Sequence, residues 1–288
     1  MPGIPRHIVS EFPFWEHSEF LYSDLDRLFV RDDLIAVHCA LAQQIAACGV
    51  QGKPVRWLDV GSGDGSTIAG IARFLSRSDH RGVLLDCVEP YDAAISQLRA
   101  NLRQSNVVLG NIVQAHIADA ILPRRYDIIT CIHSSYYFGV TPEEYILTWL
   151  RLKSQLDMLG VIAVLALPSS SPFFRLAAPT EYCGHGKAEM VSYALAELFG
   201  SVEVKRLRVR IPTRQFTIQS SQDSLRQLYA FLHHTSIDIG SKATELLRAH
   251  ACELGGDSKV IDMNDDLIVA PARCSDRKVL PICPVWVN

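Results

Sequence analysis

The sequence predicts an α/β fold, a mostly parallel seven-stranded sheet with helices on both faces. Three observations predict it. Short apolar runs of strand length alternate with amphipathic stretches of helix length from residue 55 onward. Several of these runs are predominantly apolar, the pattern of strands buried on both faces. The first run then passes straight into a glycine-rich turn and a helix, Trp57-Leu-Asp-Val-Gly-Ser-Gly-Asp-Gly65. Open α/β sheets bind ligands at such joins, beyond the carboxyl ends of their strands.

Each element follows from its residues. Residues 18–49 read as one or two helices, with Leu34, Val37, His38 and Leu41 at helical spacing. Val55–Val60 is a buried strand. Ser66–Ser76 is a helix with Ile68, Ile71, Ala72 and Leu75 on one face. Gly82–Glu89 is a second strand, and Tyr91–Gln104 a helix aligning Ile95, Leu98 and Leu102. Ile112–Ile117 and Tyr126–Ile132 are the third and fourth strands. Thr141 and Glu144 form a capping box with Pro142 at the first helical position, so a helix starts there. Gly160 is expected to stop it and Val161–Leu167 to form the fifth strand. Lys187–Phe199 is a helix ended by Gly200, and Val202–Ile211 a sixth strand. Helices near 222–234 and 241–254 precede a last strand, Val260–Ala270. Residues 1–50 thus form an N-terminal helical lid on one compact unit. The main domain is 51–288, with a helical insertion at 220–257 before the last strand. Both extra pieces are expected to roof the carboxyl ends of the strands, and the tail from Pro271 reads as an extension.

Composition narrows the function classes. Nearly half of the 288 residues are apolar and 20% are charged with both signs mixed, a composition that folds. A net charge of −3 exerts no general pull on nucleic acid or anionic membrane, so neither is an expected partner. The longest apolar run, Gly160 to Leu167, is too short to span a bilayer. The N-terminus has no continuous apolar stretch of a secretory signal. None of the eight cysteines forms a Cys-x-x-Cys pair, so no metal site is expected, and a reducing cytoplasm fits best.

The glycine turn is the strongest chemical signal. Its glycines let a backbone approach a ligand closely, and the helix start beyond it offers N–H groups to an anion. The spacing Gly61-x-Gly63-x-Gly65 brings the third glycine one residue earlier than a dinucleotide fingerprint, and Ser66 stands in that slot. No Gly-Lys-Ser/Thr follows, so it is not a P-loop. Glu89 ends the next strand, where a carboxylate accepts bonds from both hydroxyls of a ribose. Asp119 follows the third strand, placed to meet an adenine edge. Together, on successive elements, they describe a nucleoside-cofactor site.

The segments Leu58-Asp-Val-Gly-Ser-Gly-Asp-Gly65, Cys87-Val-Glu-Pro90, Ile117-Ala-Asp119 and Tyr126–Phe138 resemble the first four motifs of the class I S-adenosylmethionine-dependent methyltransferases. The resemblance covers about residues 55–170. It implies a Rossmann-like fold and S-adenosylmethionine as cofactor, with S-adenosylhomocysteine as product. By position it assigns the cofactor to Asp59, Gly61, Ser62, Gly63, Glu89, Pro90, Ala118, Asp119 and Ile132. In that assignment Gly61–Gly65 hold the methionine part, Glu89 the ribose and Asp119 the adenine amine. A narrower similarity is to histamine N-methyltransferases, carried by Ile132-His-Ser-Ser-Tyr-Tyr-Phe138, Gln227-Leu-Tyr-Ala-Phe-Leu232 and Met263-Asn-Asp-Asp-Leu267. It implies that Glu19, His133 and Asp265 stand where those enzymes contact an amine.

A small-molecule acceptor is expected, most simply an amine or imidazole nitrogen. An oxygen or carbon of a natural product or peptide, or a non-catalytic cofactor-binding scaffold, are the alternatives. His133, at the end of the fourth strand, is the candidate base, since imidazole titrates near neutrality. Packing against the cofactor is its other reading. Tyr136 and Tyr137 can wall the pocket and meet a cation with their ring faces, or simply fill core. Glu19 and Tyr22, one helical turn apart, can hold a cationic substrate or form a solvated helix face. Asp265 and Asp266 flank the last strand as pocket residues or turn caps. Arg206, Arg208 and Arg210 alternate along a strand, which reads as a charge-guarded sheet edge before an acidic-ligand face.

Overall fold

Strand formation follows the apolar runs. The strands are Val55–Val60 (β1), Val83–Val88 (β2), Val108–Val113 (β3), Tyr126–Ile132 (β4), Leu156–Ala166 (β5), Glu203–Leu207 (β6), Arg210–Pro212 (β7), Val260–Asp262 (β8) and Asp265–Pro271 (β9). The helices are Arg31–Ala47 (α1), Ser66–Leu75 (α2), Asp92–Leu102 (α3), Pro142–Ser154 (α4), Ala188–Phe199 (α5) and Ser241–Gly255 (α6). The computed structural model describes residues 29–49, 53–75, 82–103, 105–139, 141–172, 187–213, 241–256 and 259–272. The expected helix at 222–234, the tail from residue 273, Glu19 and Tyr22 lie outside these residues.

Seven strands form one sheet in the order β3-β2-β1-β4-β5-β9-β6. The first five run parallel, and β9 lies antiparallel between β5 and β6. Alternate residues of β1 serve the two faces. Val55 and Trp57 join the core under α1, α2 and α3, while Leu58 and Val60 join the core under α4 and α5. The capping box of α4 is present, with Glu144 N donating to Thr141 Oγ1 at 3.2 Å. Gly200 ends α5 in the left-handed conformation at φ 81°.

Four expectations change in the structure. The third strand begins at Val108, not Ile112, because β2 pairs with it from Leu84 onward. Gly110 and Asn111, which the expected strand left out, sit at a register shift inside it. There the backbone N–H of Asn111 donates to the fully buried Asp86 at 2.6 Å, and a Cβ on Gly110 would stand 2.3 Å from the same carboxylate oxygen. Gly160 does not end a helix. The helix stops at Ser154 and Gly160 lies within β5. The β4–β5 register advances two residues on one strand and five on the other at this point, and a Cβ on Gly160 would come within 2.9 Å of the Tyr126 carbonyl. Finally, the sixth and last strands each divide in two. Met263 N and Asn264 N both donate to Val209 O, at 2.7 and 3.2 Å, with Asn264 at φ 50°. This bulge turns the outer ends away as a separate ribbon, β7 with β8.

The reversed direction of β9 positions the site. Its first residues pair with the end of β5, Ala166 with Asp266 and Leu165 with Leu267. Asp265 therefore reaches the carboxyl edge beside the end of β4, where Ile132 pairs with Leu165. At the adjoining corner Val30 N donates to Arg210 O at 2.8 Å, and Arg210 clasps the buried Asp33 through two bonds of 2.8 and 2.7 Å. The start of α1 is thus tied to the ribbon that leads into the insertion.

Candidate active site

The turn between β1 and α2 takes its shape from three left-handed glycines, Gly61 at φ 71°, Gly63 at 53° and Gly65 at 76°. Only glycine adopts this region without strain. Gly61 has a second constraint. Because β1 and β4 are neighbours, the segment leaving β4 crosses the turn, and a Cβ on Gly61 would stand 2.4 Å from Ser134 Cβ. Ser134 seals the crossing by donating to Val60 O at 2.5 Å.

Glu89 sits at the end of β2 and is 4% exposed. Its Oε2 accepts from Gly63 N at 2.8 Å and its Oε1 from Tyr91 N at 3.2 Å. The carboxylate thus touches the glycine turn itself. Burial pushes its pKa up to about 7, against the lowering effect of these two bonds. Asp59 lies deeper, 2% exposed, accepting from Thr130 Oγ1 at 2.5 Å, and burial raises it to about 6. Thr130 in turn accepts from Trp57 Nε1 at 2.7 Å. Ser62 is buried and bonds to Asp59 O at 3.1 Å. These two residues form the floor of the turn.

The helix start differs from expectation. The N–H of Ser66 is taken by Asp64 Oδ1 at 2.9 Å, so a carboxylate already occupies the place where an anion would dock. Asp59, Asp64 and Glu89 act on one another electrostatically, both aspartates raising the Glu89 pKa. Such a turn repels phosphate and attracts a cation.

Past β3 the chain makes a tight turn, with Asp119 N and Ala120 N both donating to His116 O, at 2.9 and 3.0 Å. Asp119 and Ala118 are exposed on it. The guanidinium of Arg151, from α4, donates to the carbonyls of Ala118 and Ala120 and so clamps the turn on both sides of Asp119. Pro90 and Ile132 are part-buried at the ends of β2 and β4. The expected cofactor residues thus gather along one edge of the sheet.

The candidate acceptor residues meet at the adjoining strand ends. His133 holds a left-handed backbone at φ 52°, fixed by its N–H to Leu165 O at 2.9 Å. Its Nε2 lies 3.4 Å from Asp265 Oδ2 and its Nδ1 3.4 Å from Tyr136 Oη. Tyr136 Oη accepts from Leu167 N at 2.8 Å. Tyr137 meets Tyr136 edge-on at 6.4 Å, both part-buried. The 3-10 turn that carries them, Ser135–Tyr137, is anchored by Phe138 against Trp149 and by Thr148 Oγ1 donating to Phe138 O at 2.8 Å. Asp266 faces away from this group and pairs with Arg206.

No protein-family model and no curated protein matches the sequence. Solved structures do match. YcgJ protein from Bacillus subtilis aligns over 83% of this chain and all of its own, at 13% identity and a TM-score of 0.54. The plantazolicin methyltransferase BpumL, in complex with a triazolic desmethylPZN analog and SAH, aligns over 88% of this chain and 89% of its own. That match has 14% identity and a TM-score of 0.51. The same enzyme with a pentazolic analog and SAH gives 0.50 at 14% identity, over 88% and 90% of the two chains. Together with the strand order, these matches settle the architecture.

The fold is that of the class I methyltransferases.

Within this methyltransferase fold, the comparisons lend no support to the narrower similarity to histamine N-methyltransferases. Three contributors escaped sequence reasoning. Ser134 had a readable signal, since a small residue must follow β4 wherever the first glycine turn packs against it. Thr130, the partner of Asp59, lay hidden in an apolar run, and Arg151 gave no signal because its contact depends on the docking of α4. The alternating arginines are not an open basic face: Arg206 pairs with Asp266, Arg208 with Asp262 and Arg210 with Asp33.

Proposed function

We propose that this protein is an S-adenosylmethionine-dependent methyltransferase acting on a small molecule. The observation that carries the reading is the buried Glu89 carboxylate bonded to the glycine turn, with Asp59 and Asp64 beside it. A buried carboxylate is retained against its desolvation cost where donors or a positive charge come to it. Ribose hydroxyls are such donors, and a sulfonium and an ammonium are such charges. A dinucleotide or nucleoside triphosphate would instead bring phosphates to a turn ringed by acids. The residues therefore fit S-adenosylmethionine, with Glu89 and Pro90 at the ribose, Ala118 and Asp119 at the adenine, and Gly61–Gly65 with Ile132 at the methionine part. When bound, it supplies a methyl group already activated on sulfur.

The chain's own residues then orient the acceptor, exclude water and take up a proton. His133 stands at the end of β4 as the base, and Tyr136 and Tyr137 wall the acceptor side. An amine or imidazole nitrogen is the first acceptor class. The carboxylate behind His133 favours an oxygen acceptor as the second, because a hydroxyl needs more help in losing its proton than a neutral amine does. The N-terminal segment and the insertion both leave the described fold at the Val30–Arg210 corner. The lid reading is therefore kept for the residues before α1 and for the insertion, with Glu19 and Tyr22 among the candidate contacts, and not for α1 itself, whose Val37, Leu41 and Ile45 are buried in the core against the sheet. Methyl-labelled S-adenosylmethionine offered with amines, imidazoles, phenols and carboxylic acids tests the reading. Label passing to one acceptor class, with S-adenosylhomocysteine released, is the expected result. Binding of S-adenosylmethionine without transfer to any class would favour the scaffold alternative.

A further inference from the structure

Trp57 and Asp59 alternate along β1 and so share one face of the sheet, and Thr130 of β4 lies beside Asp59 in the strand register. Their side chains form a buried hydrogen-bond chain whose direction is fixed by chemistry. An indole N–H only donates, and Trp57 Nε1 donates to Thr130 Oγ1 at 2.7 Å. An ionised carboxylate only accepts, and Asp59 Oδ1 accepts from Thr130 Oγ1 at 2.5 Å. Leu58 O, the backbone carbonyl also near this hydroxyl, stands farther off at 3.4 Å. Trp57 and Thr130 are fully buried and Asp59 is 2% exposed. Burial raises the Asp59 pKa to about 6, and the Thr130 and Ser62 hydroxyls oppose that rise. A charge-assisted bond to a buried carboxylate favours its ionised form. The ionisable groups around it are few. Cys87 on β2 and Cys131 on β4 are thiols that burial pushes well above their ordinary range. His38 on α1 is buried against Gly70 and lowered to about 4, so it is neutral near pH 7. Glu89 and Asp64 lie at the turn above, and the charges of Asp59 and Asp64 raise Glu89.

We infer that Trp57 and Thr130 are positioning residues of the cofactor site, acting through Asp59 by aiming its carboxylate and holding it charged beneath the glycine turn. This role rests on the S-adenosylmethionine reading of that turn. The methionine part of that ligand carries an ammonium, which a fixed negative charge under the turn attracts and a neutral carboxyl does not. The Trp57 N–H polarises the Thr130 hydroxyl and so strengthens its bond to Asp59. Ser62 Oγ donates to Asp59 O at 3.1 Å, which ties the same residue to the turn itself. Neither Trp57 nor Thr130 is exposed to a ligand, and both act at one remove from it. Thr130 also joins the two sides of the site, since the strand that ends at His133 carries the support of the acid under the turn.

Carboxyl-carbon and indole spectra of the full-length protein, labelled in aspartate and tryptophan, test the chain without ligand. The signals are assigned by their loss in Asp59→Asn and Trp57→Phe. As pH falls, the Trp57 indole N–H signal is expected to move with the same midpoint as the Asp59 carboxyl, because protonating Asp59 changes the bond that the Thr130 hydroxyl makes. An indole signal that stays flat through that titration would overturn the inference, and wild type alone decides this. Thr130→Val keeps the shape and removes the hydroxyl, so the Asp59 midpoint is expected to rise, and Thr130→Ser to restore it. Calorimetry with S-adenosylhomocysteine across pH 6–8 tests the cofactor side. Where the lost bond changes the proton affinity of Asp59 about tenfold, Thr130→Val binds roughly fivefold more weakly than wild type at pH 6 and nearly as well at pH 8. Comparing variant with wild type at each pH cancels the titration of Glu89. A deficit of one size at every pH would make Thr130 a packing residue and overturn its positioning role, as would equal affinity throughout. No binding by wild type would defeat the S-adenosylmethionine reading and the cofactor half of the inference with it, whereas the spectra still decide the hydrogen-bond chain.

Discussion

At neutral pH the Glu89 carboxyl stands near half ionisation, since burial lifts its pKa to about 7. Ribose hydroxyls and a cationic ligand favour its charged form, so binding S-adenosylmethionine must draw the bound-state pKa down. Affinity then holds steady above the free pKa and falls below it, by roughly fivefold between pH 7 and pH 6. Titrations across pH 6–8 check this, and a flat profile would mean that Glu89 does not meet the ligand. Glu89→Ala should weaken cofactor binding strongly, because two hydroxyls lose their shared acceptor. His133→Ala has the opposite signature, with turnover reduced on the order of a hundredfold or more and cofactor affinity kept. Unaltered turnover would make His133 a packing residue.

The elements show what the sequence reveals and what it conceals. Strands β1, β2 and β4 were legible because each is buried on both faces and so mostly apolar, with Asp59, Asp86 and Asp127 as interruptions. The capping box announced α4 unaided. Gly160 misled, because a glycine reads locally as a break; there, as at Gly110, it instead admits a register shift that only a neighbouring strand can impose. Gly110→Ala should therefore destabilise the fold by roughly 1–3 kcal/mol, since its Cβ meets a buried carboxylate. A denaturation midpoint equal to wild type would contradict that crowding. The Arg151 clamp belongs to the same scale, as two elements distant in sequence must dock before it exists. Arg151→Met should loosen the Asp119 turn and weaken S-adenosylmethionine binding several-fold, with little change in stability. Equal affinity in calorimetry would show that the turn holds without it.

Across the whole molecule, the residues of the proposed cofactor side follow one another along the sequence, whereas those of the proposed acceptor side were legible only in fragments. The glycine turn, Glu89 and Asp119 each follow a strand in order along the chain. The acceptor group depends instead on β9 running backwards, which brings Asp265 to the edge where β4 ends. No local pattern encodes that reversal. The corner that joins α1 to the ribbon is equally non-local, and Arg210→Ala should cost roughly 1–3 kcal/mol of stability by leaving the buried Asp33 without its two bonds. The central claim, an S-adenosylmethionine site at the acidic glycine turn, is tested most directly by calorimetric titration of the full chain at pH 7 in two buffers of different ionisation enthalpy. The account predicts micromolar binding of both S-adenosylmethionine and S-adenosylhomocysteine, with protons released to the buffer and that release lost in Glu89→Gln. Binding of neither, or binding of a phosphate-bearing nucleotide in their place, would contradict it.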